Sequence, residues 1–485
     1  MLKLNPILYM VFAALPLSAC ISVEPGDAEA AILADESLPT LSEQWSMAAD
    51  SVRGEPIGWI DAFNDPALLA LVKEAQENNN DLIAAAAAVD RARALARQAG
   101  AALSPQLDFV AGTDTSGVID GGDDTTYSAG LELSWEADVW GRIRSDKQSA
   151  TATFESTQAD FRFAQYSLAA NVAISYLLAI EAVRQEAITQ STVDALKETD
   201  RIVNLRFENG LSSAQDRALS RSELATAEDL LEDIQGGKRD ALRSLELLLG
   251  RYPNAEVDLR TDLPTQPAPP PAGLPSDLLE RRPDLIAAER NIAAAVDALD
   301  AAEAARLPRF SLTTSIGGAS DDLGNIFDPE NLAWSVVSNL AAPLIDGGFL
   351  KSEVDIASAD LEEAVASYAQ DALTAFSEVE GALDQSQVLV RRQDRLQIAE
   401  SEAEEALRLA QFSYEEGETD LIDVLTIQQT VLDAQSNLLS VERELRENYI
   451  TLNLALGGDW RTVEAGAFID PELGEAQHML RPFLQ

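Results

Sequence analysis

Apolar positions run twice through the same order of periods along this chain. From Gly141 to Arg206 lie 66 residues without proline or an internal glycine, and Gly348 to Ser413 is a second run of 66, interrupted only by Gly381. In the second run Leu350, Val354, Ala357, Leu361, Ala364 and Tyr368 step by 4, 3, 4, 3, 4, and Ala372, Phe376, Val379 and Leu383 resume after an extra step of four. That is the spacing of a helical packing seam with a stutter. Val424, Val431, Leu438, Leu445 and Leu452 then recur every seven residues. At the helical rise each long run predicts a helix of about 100 Å. The period falls to two at Leu107 and Phe109, at Leu131, Leu133 and Trp135, and at Phe310 and Leu312. It predicts strands near 105–112, 126–136, 308–317 and 331–342, paired through Gly- and Asp-rich loops such as 120–124 and 320–322.

The order repeats because the chain does. The pentapeptide DLIAA occurs at 81–85 and again at 284–288, and at the same offset of 203 Pro105 falls on Pro308. Farther on the offset becomes 207: Gly141 falls on Gly348, Gly210 on Gly417, Asp216 on Asp423, and Leu249-Gly250 on Leu456-Gly457. One change of four residues, in the strand region, is what loops tolerate. The chain therefore reads as a tandem duplication, 81–250 and 284–457. Around the copies lie a signal segment 1–19, an N-terminal extended segment 20–80, a Pro-rich connector 251–283 and a tail 458–485. Segment 20–64 reads as loop with isolated Trp45 and Trp59. Each copy predicts helix, two strands, long helix, tight turn, helix: a mainly α fold with a small β part.

The helix lengths carry a second inference. Segments 211–250 and 81–104 together nearly equal one long run, as do 418–456 and 284–307. Two short helices stacked end to end would match one long helix, giving an antiparallel rod with strands at one end and turns at the other. Gly210 and Gly417 suit the turns, and Asp81 and Asp284 sit where an acid can cap a helix start.

Composition narrows the chemistry. The formal charge of -47, from 82 acidic and 35 basic side chains, disfavours nucleic acid. With one histidine, His478, and one cysteine, Cys20, neither a Ser-His-Asp triad nor a His/Cys zinc site can be assembled. No catalytic residue, metal site or cofactor is expected, and the protein reads as no enzyme. Cys20 follows Lys3, an apolar run from Ile7 to Leu17, and Leu17-Ser18-Ala19. That resembles the lipobox of bacterial lipoproteins, so a covalent lipid on Cys20 is the expected modification. No later run is long and apolar enough for a membrane helix, so any further crossing must use strands. Four strands are too few to close a barrel. They form either a soluble cap on the rod or a share of a barrel built by several chains. The lipid anchor favours the second.

Five further stretches carry a family resemblance: Gly58 to Pro66 (GWIDAFNDP), Trp135 to Arg142 (WEADVWGR), Leu274 to Asp284 (LPSDLLERRPD), Pro343 to Gly348 (PLIDGG) and Ala455 to Trp460 (ALGGDW). Together they resemble the TolC-type outer-membrane factors, in the OprM- and NodT-like lipoprotein branch. Phe349 departs from the basic residue usual in that pattern. The resemblance implies a homotrimer whose strands form a 12-stranded barrel in the outer membrane of a Gram-negative cell, lipid around it and a helical tunnel below. It implies a periplasmic adaptor and an inner-membrane RND transporter as partners, and passive conduction of drugs or other small toxic compounds. By the same resemblance Asp423, and less so Asp216, are gate candidates at the periplasmic end. The absence of a second acid at Thr426 puts a double ring in doubt. Phe207, Gly210, Tyr414 and Gly417 are tip or adaptor-contact candidates, although packing beneath the turn accounts for Phe207 and Tyr414. Arg281, Arg282 and Asp284 read as a structural junction of ion pairs and a helix cap. A duct for type I protein secretion and a lipid-anchored coiled-coil scaffold without a pore are the alternatives.

Overall fold

The computed structural model describes residues 26–38, 45–46, 58–119, 121–270 and 275–458. Segment 1–19, Cys20 and the tail beyond Gly458 lie outside them. In the first copy α3 (Asn80–Ala101) leads to β1 (Gln106–Gly117), β2 (Asp123–Ala137), α4 (Arg142–Glu208) and α5 (Ala214–Leu248). In the second, α7 (Pro283–Ala304) leads to β3 (Arg309–Ser320), β4 (Leu332–Ala341), α8 (Phe349–Glu416) and α9 (Leu421–Ala455). The long helices run unbroken for 67 and 68 residues, and α8 passes through Gly381 without a kink residue to stop it.

The helices stand as four columns. α5 packs on α4, α4 on α9 and α9 on α8 in one half of the rod; in the other, α3 packs on α4 and α7 lies between α4 and α8. α3 thus continues the column of α5, and α7 that of α9. One joint shows how. The Asn79 side chain accepts from Leu82 N at 3.0 Å and donates to the Leu248 carbonyl at 3.0 Å, so one amide serves both helix ends. Asp81 is not the cap: it lies two residues inside α3, and Asn79 occupies the position whose oxygen reaches the free N–H groups. At the second joint Arg282 donates to the Ala455 carbonyl at 3.2 Å. Asp284 likewise sits inside α7 and accepts from Leu285 N, while the position before Pro283 is Arg282. The backbones meet closely: a Cβ on Gly250 would lie 2.5 Å from the Asn78 carbonyl oxygen.

The N-terminal segment departs from the loop expected of it. α1 (Gly26–Ser37) lays Ala30 and Ala34 against Ile292, Ala293, Val296 and Tyr368. Small residues let it approach closely, a signal masked by the general abundance of alanine. α2 (Pro66–Asn78) follows, capped by Asp65 through Ala67 N at 3.0 Å. Trp45 packs on Phe376, Trp59 on Phe63 and Phe63 on Tyr449, so these aromatics are core rather than isolated. The connector also carries a short helix, α6 (Asp277–Arg281).

A stretch of α4 is long and apolar enough by composition to cross a membrane, contrary to the expectation that no such run exists, but half of it is buried. Leu168 to Ala170, Val172, Ala173, Tyr176, Leu177 and Ile180 pack into the central core with Leu68, Val72, Leu245 and Leu249. Its hydropathy is that of a helix surrounded by protein.

Candidate functional site: the sheet and the helix tips

The strands form one antiparallel sheet in the order β1-β2-β3-β4. Directly paired residues share a face. Phe109 pairs Leu131, Leu131 pairs Ile316 and Ile316 pairs Trp334, an apolar row across all four strands. Leu107, Leu133, Thr314 and Val336 form the next row on that face. On the other face Asp108, Glu132, Ser315 and Ser335 are in register. Ser315 and Ser335 hydrogen-bond across the strands at 2.8 Å. The apolar face is uncovered: Phe109 is 67 % exposed and Trp334 75 %. Among the described residues β1 and β4 each leave an unpaired edge. A sheet apolar on one side, polar on the other and open at both ends cannot stand alone in lipid.

The strand-to-helix corners are fastened by acids that sequence reading passed over. Asp138 accepts from Ile143 N and Arg144 N, both at 3.0 Å, and Asp346 accepts from Gly348 N and Leu350 N, both at 2.9 Å. Each satisfies N–H groups at the start of a long helix, where Gly141 and Gly348 have no side chain to do so. Both acids stand inside the corner stretches quoted above, so the signal was present.

At the opposite end both hairpins close in one way. Leu211 N donates to the Arg206 carbonyl at 2.8 Å, and Glu418 N to that of Ser413 at 2.9 Å. Gly210 and Gly417 take φ of 74° and 79°, which this helix stop demands. The Arg217 guanidinium lies 4.1 Å over the Phe207 ring and that of Arg206 4.8 Å over the Tyr414 ring. Arg206 also donates to the Tyr414 carbonyl at 3.1 Å and links the two hairpins. Both aromatics are half-buried and occupied within the chain.

The two gate candidates differ. Asp216 accepts from Ser213 N at 2.9 Å and Ser212 Oγ at 3.0 Å, while its own N–H donates to Ser213 Oγ. The Ser213 backbone N–H holds its carboxyl below the usual range. Asp423 is exposed, and of its two oxygens Oδ2 accepts from Thr419 Oγ at 2.7 Å. One acid is committed to a helix cap; the other presents charge to solvent.

A family model described as outer membrane efflux protein matches residues 71–251 and 274–458, one segment per copy. The chain belongs to the outer membrane efflux protein family. The pyoverdine export outer membrane protein OpmQ of Pseudomonas aeruginosa is 30% identical over 95% of this chain and 98% of its own length. The cation efflux system protein CusC of Escherichia coli is 30% identical over 85% of this chain and 90% of its own. Among solved structures, the outer-membrane channel OprN superposes with a TM-score of 0.81 at 29% identity, covering 87% of this chain and 98% of that one. This efflux protein is therefore an outer-membrane channel with the TolC-like fold, mainly helical with a small strand part.

Within this efflux protein the junction residues separate. Arg282 is buried, with Asp284 on two nitrogens at 3.0 and 2.7 Å and Glu378 on a third at 2.6 Å. Arg281 points outward, 3.6 Å from Asp277, and its carbonyl borders Gly457. A second junction was not singled out from sequence. Buried Asp65 accepts from Tyr176 Oη at 2.9 Å and Arg260 at 3.0 Å, tying the N-terminal segment and connector to α4. Burial works to raise its carboxyl, but the Tyr176 hydroxyl, Arg260 and the Leu68 and Ala67 N–H groups outweigh it, leaving it below the ordinary range.

Proposed function

We propose that three copies of this chain assemble into one duct, each giving four strands to a 12-stranded barrel in the outer membrane and four helical columns to a periplasmic tunnel. The carrying observation is the single sheet with an apolar face in register across all four strands and an unpaired edge on each side. Closure by further copies satisfies both edges at once. A lipid on Cys20 anchors the N-terminus in the same membrane. The tips dock on a periplasmic adaptor and through it an inner-membrane RND transporter, which supplies the energy. The duct itself does no bond chemistry and passes drugs or other small toxic compounds passively. Asp423, exposed near the tip, rings the entrance in three copies, favouring cations and constricting the path.

The test is reconstitution of the purified lipoprotein into planar bilayers together with its native mass in detergent. Trimers that open cation-preferring channels are expected. Monomers that never insert would overturn the reading.

A further inference from the structure

The loop between β3 and β4, 321–331, lies down on the apolar face of the sheet. Gly318 belongs to the third row of that face: it pairs Ala129 and Leu332, and Ala129 pairs Ala111. A Cβ on Gly318 would lie 1.7 Å from the Ile326 carbonyl oxygen and 3.2 Å from Ile326 Cγ2. Glycine at this strand position lets the loop backbone come down onto the sheet. The contact leaves Ile326 only 5% exposed.

The loop is closed on its own polar groups. Asp322 Oδ1 accepts from Gly324 N at 2.8 Å, at the start of one 3-10 turn, Leu323–Asn325. Asn331 Nδ2 donates to the Asn325 carbonyl at 2.8 Å, and Asn331 N to the Asp328 carbonyl at 2.9 Å. Its large apolar side chains are not so satisfied. Leu323 is 66% exposed and Phe327 68%. Four residues apart across a helical turn, they share one side of the loop with Ile326. Asp321, Asp328 and Glu330 are exposed too.

The sheet bends away from this loop. On the polar face Gly130 pairs Gly317, and a Cβ on Gly130 would come 2.9 Å from Gly317 Cα, one on Gly317 2.7 Å from Gly130 Cα. Such crowding marks the inside of a curved sheet. The loop therefore rests on the convex side. In the barrel proposed above it stands outside the exit and not across it. The next row on that side carries Ile316 and Trp334, both exposed.

We propose that this loop is an interfacial anchor: Leu323 and Phe327 enter the outer leaflet of the membrane beside the barrel, while Asp321, Asp328 and Glu330 stay in water. The occupant is lipid, because the apolar side of the loop continues the sheet face that the barrel reading turns to lipid; the inference rests on that reading. Apolar side chains at the boundary of headgroups and acyl chains hold a surface element at that depth. Three such loops set the height of the duct in the membrane and leave its exit clear.

The test uses the full lipidated chain carrying Phe327→Cys, or Trp334→Cys as the reference for the sheet face. With Cys20 lipidated, the new cysteine is the single free thiol. Each is labelled with a fluorophore in vesicles of phosphatidylethanolamine and phosphatidylglycerol. Quenching is read with lipids nitroxide-labelled in the acyl chain and, separately, with aqueous iodide. Both labels are expected to lose most of their fluorescence to the nitroxide lipid and little to iodide. Gly318→Val, which lifts the loop, should make the label at 327 sensitive to iodide and leave that at 334 unchanged. A label at 327 quenched by iodide in the parent chain, with 334 quenched by nitroxide, overturns the anchor and leaves the barrel standing. A label at 327 quenched by neither agent also overturns it, and puts the loop under a protein surface. A label at 334 that nitroxide lipid does not quench overturns both readings. No change at 327 in the Gly318→Val chain overturns the seat on Gly318.

Discussion

Asn79 donates to the carbonyl of Leu248 across a sequence distance of 169 residues, and so splices two helices into one column. Its counterpart in the second copy is Arg282 with Ala455. The duplicated joints share a place and differ in chemistry: a neutral amide holds one, and a buried cation with two carboxylates holds the other.

That difference predicts unequal costs. Asn79→Ala loses one cap and one bridging bond and should cost about 1–2 kcal/mol. Arg282→Ala leaves Asp284 and the half-exposed Glu378 without their shared partner and should cost about 2–3 kcal/mol. Arg282→Lys should recover little, because a single ammonium cannot reproduce the fork that engages both acids. Thermal unfolding of the three variants beside wild type checks the order.

Asp65 predicts a loss of stability in acid. Its folded carboxyl is depressed below the ordinary value of 3.8, so its contribution is present above that value and fades as the pH falls through the lower folded one. Asp65→Asn should flatten the unfolding midpoint between pH 5 and the acid limit and lower it at neutral pH. An equally steep acid limb in the variant would contradict the assignment.

Asp297 predicts the opposite slope. It is 3% exposed on α7, and among the described residues Oδ1 has no hydrogen-bond partner. Burial, with the charges of Asp300 and Asp27 added, pushes its carboxyl up to about 6 from 3.8. The folded state therefore holds its proton where the unfolded chain has lost it. The resulting cost is absent below pH 3.8, grows as pH rises towards 6 and is complete above it. Asp297→Asn should stabilise the protein at pH 8 by about 2–3 kcal/mol and have little effect near pH 4, read from unfolding midpoints.

The two aspartates after the tips predict separable phenotypes. Asp216→Ala breaks a capping box and should cost about 1 kcal/mol with single-channel conductance unchanged. Asp423→Ala should leave stability nearly unchanged and raise conductance or weaken cation preference. Bilayer recording and unfolding of both variants decide it.

Most of the architecture could be read in the chain because it rests on periodicity and length. The seams of α8 and α9, the alternation in the strands, and the near equality of two short helices with one long one are properties of single segments. What escaped depended on partners far away in sequence. Asp81 looks like a cap because it opens an apolar run, yet Asn79 wins: it precedes the first turn and also finds Leu248. Asp65 stands inside the GWIDAFNDP stretch without distinction, and only the fold brings Tyr176 and Arg260 to it. Arg281 and Arg282 are adjacent and alike, and the extended link between α6 and α7 turns Arg282 inward while Arg281, the last residue of α6, stays in solvent. α1 escaped because an alanine-rich contact looks like background in an alanine-rich chain.

The spliced columns make the molecule mechanically uneven along its length. α4 and α8 are continuous beams from corner to tip, whereas the columns beside them are each two pieces meeting end on at Asn79 and Arg282. A continuous beam resists bending at every height; a spliced one has its compliance gathered at a single level. A sideways load on a tip would therefore meet its least resistance at the level of the splices, far from the sheet, with the two unbroken helices carrying the rest.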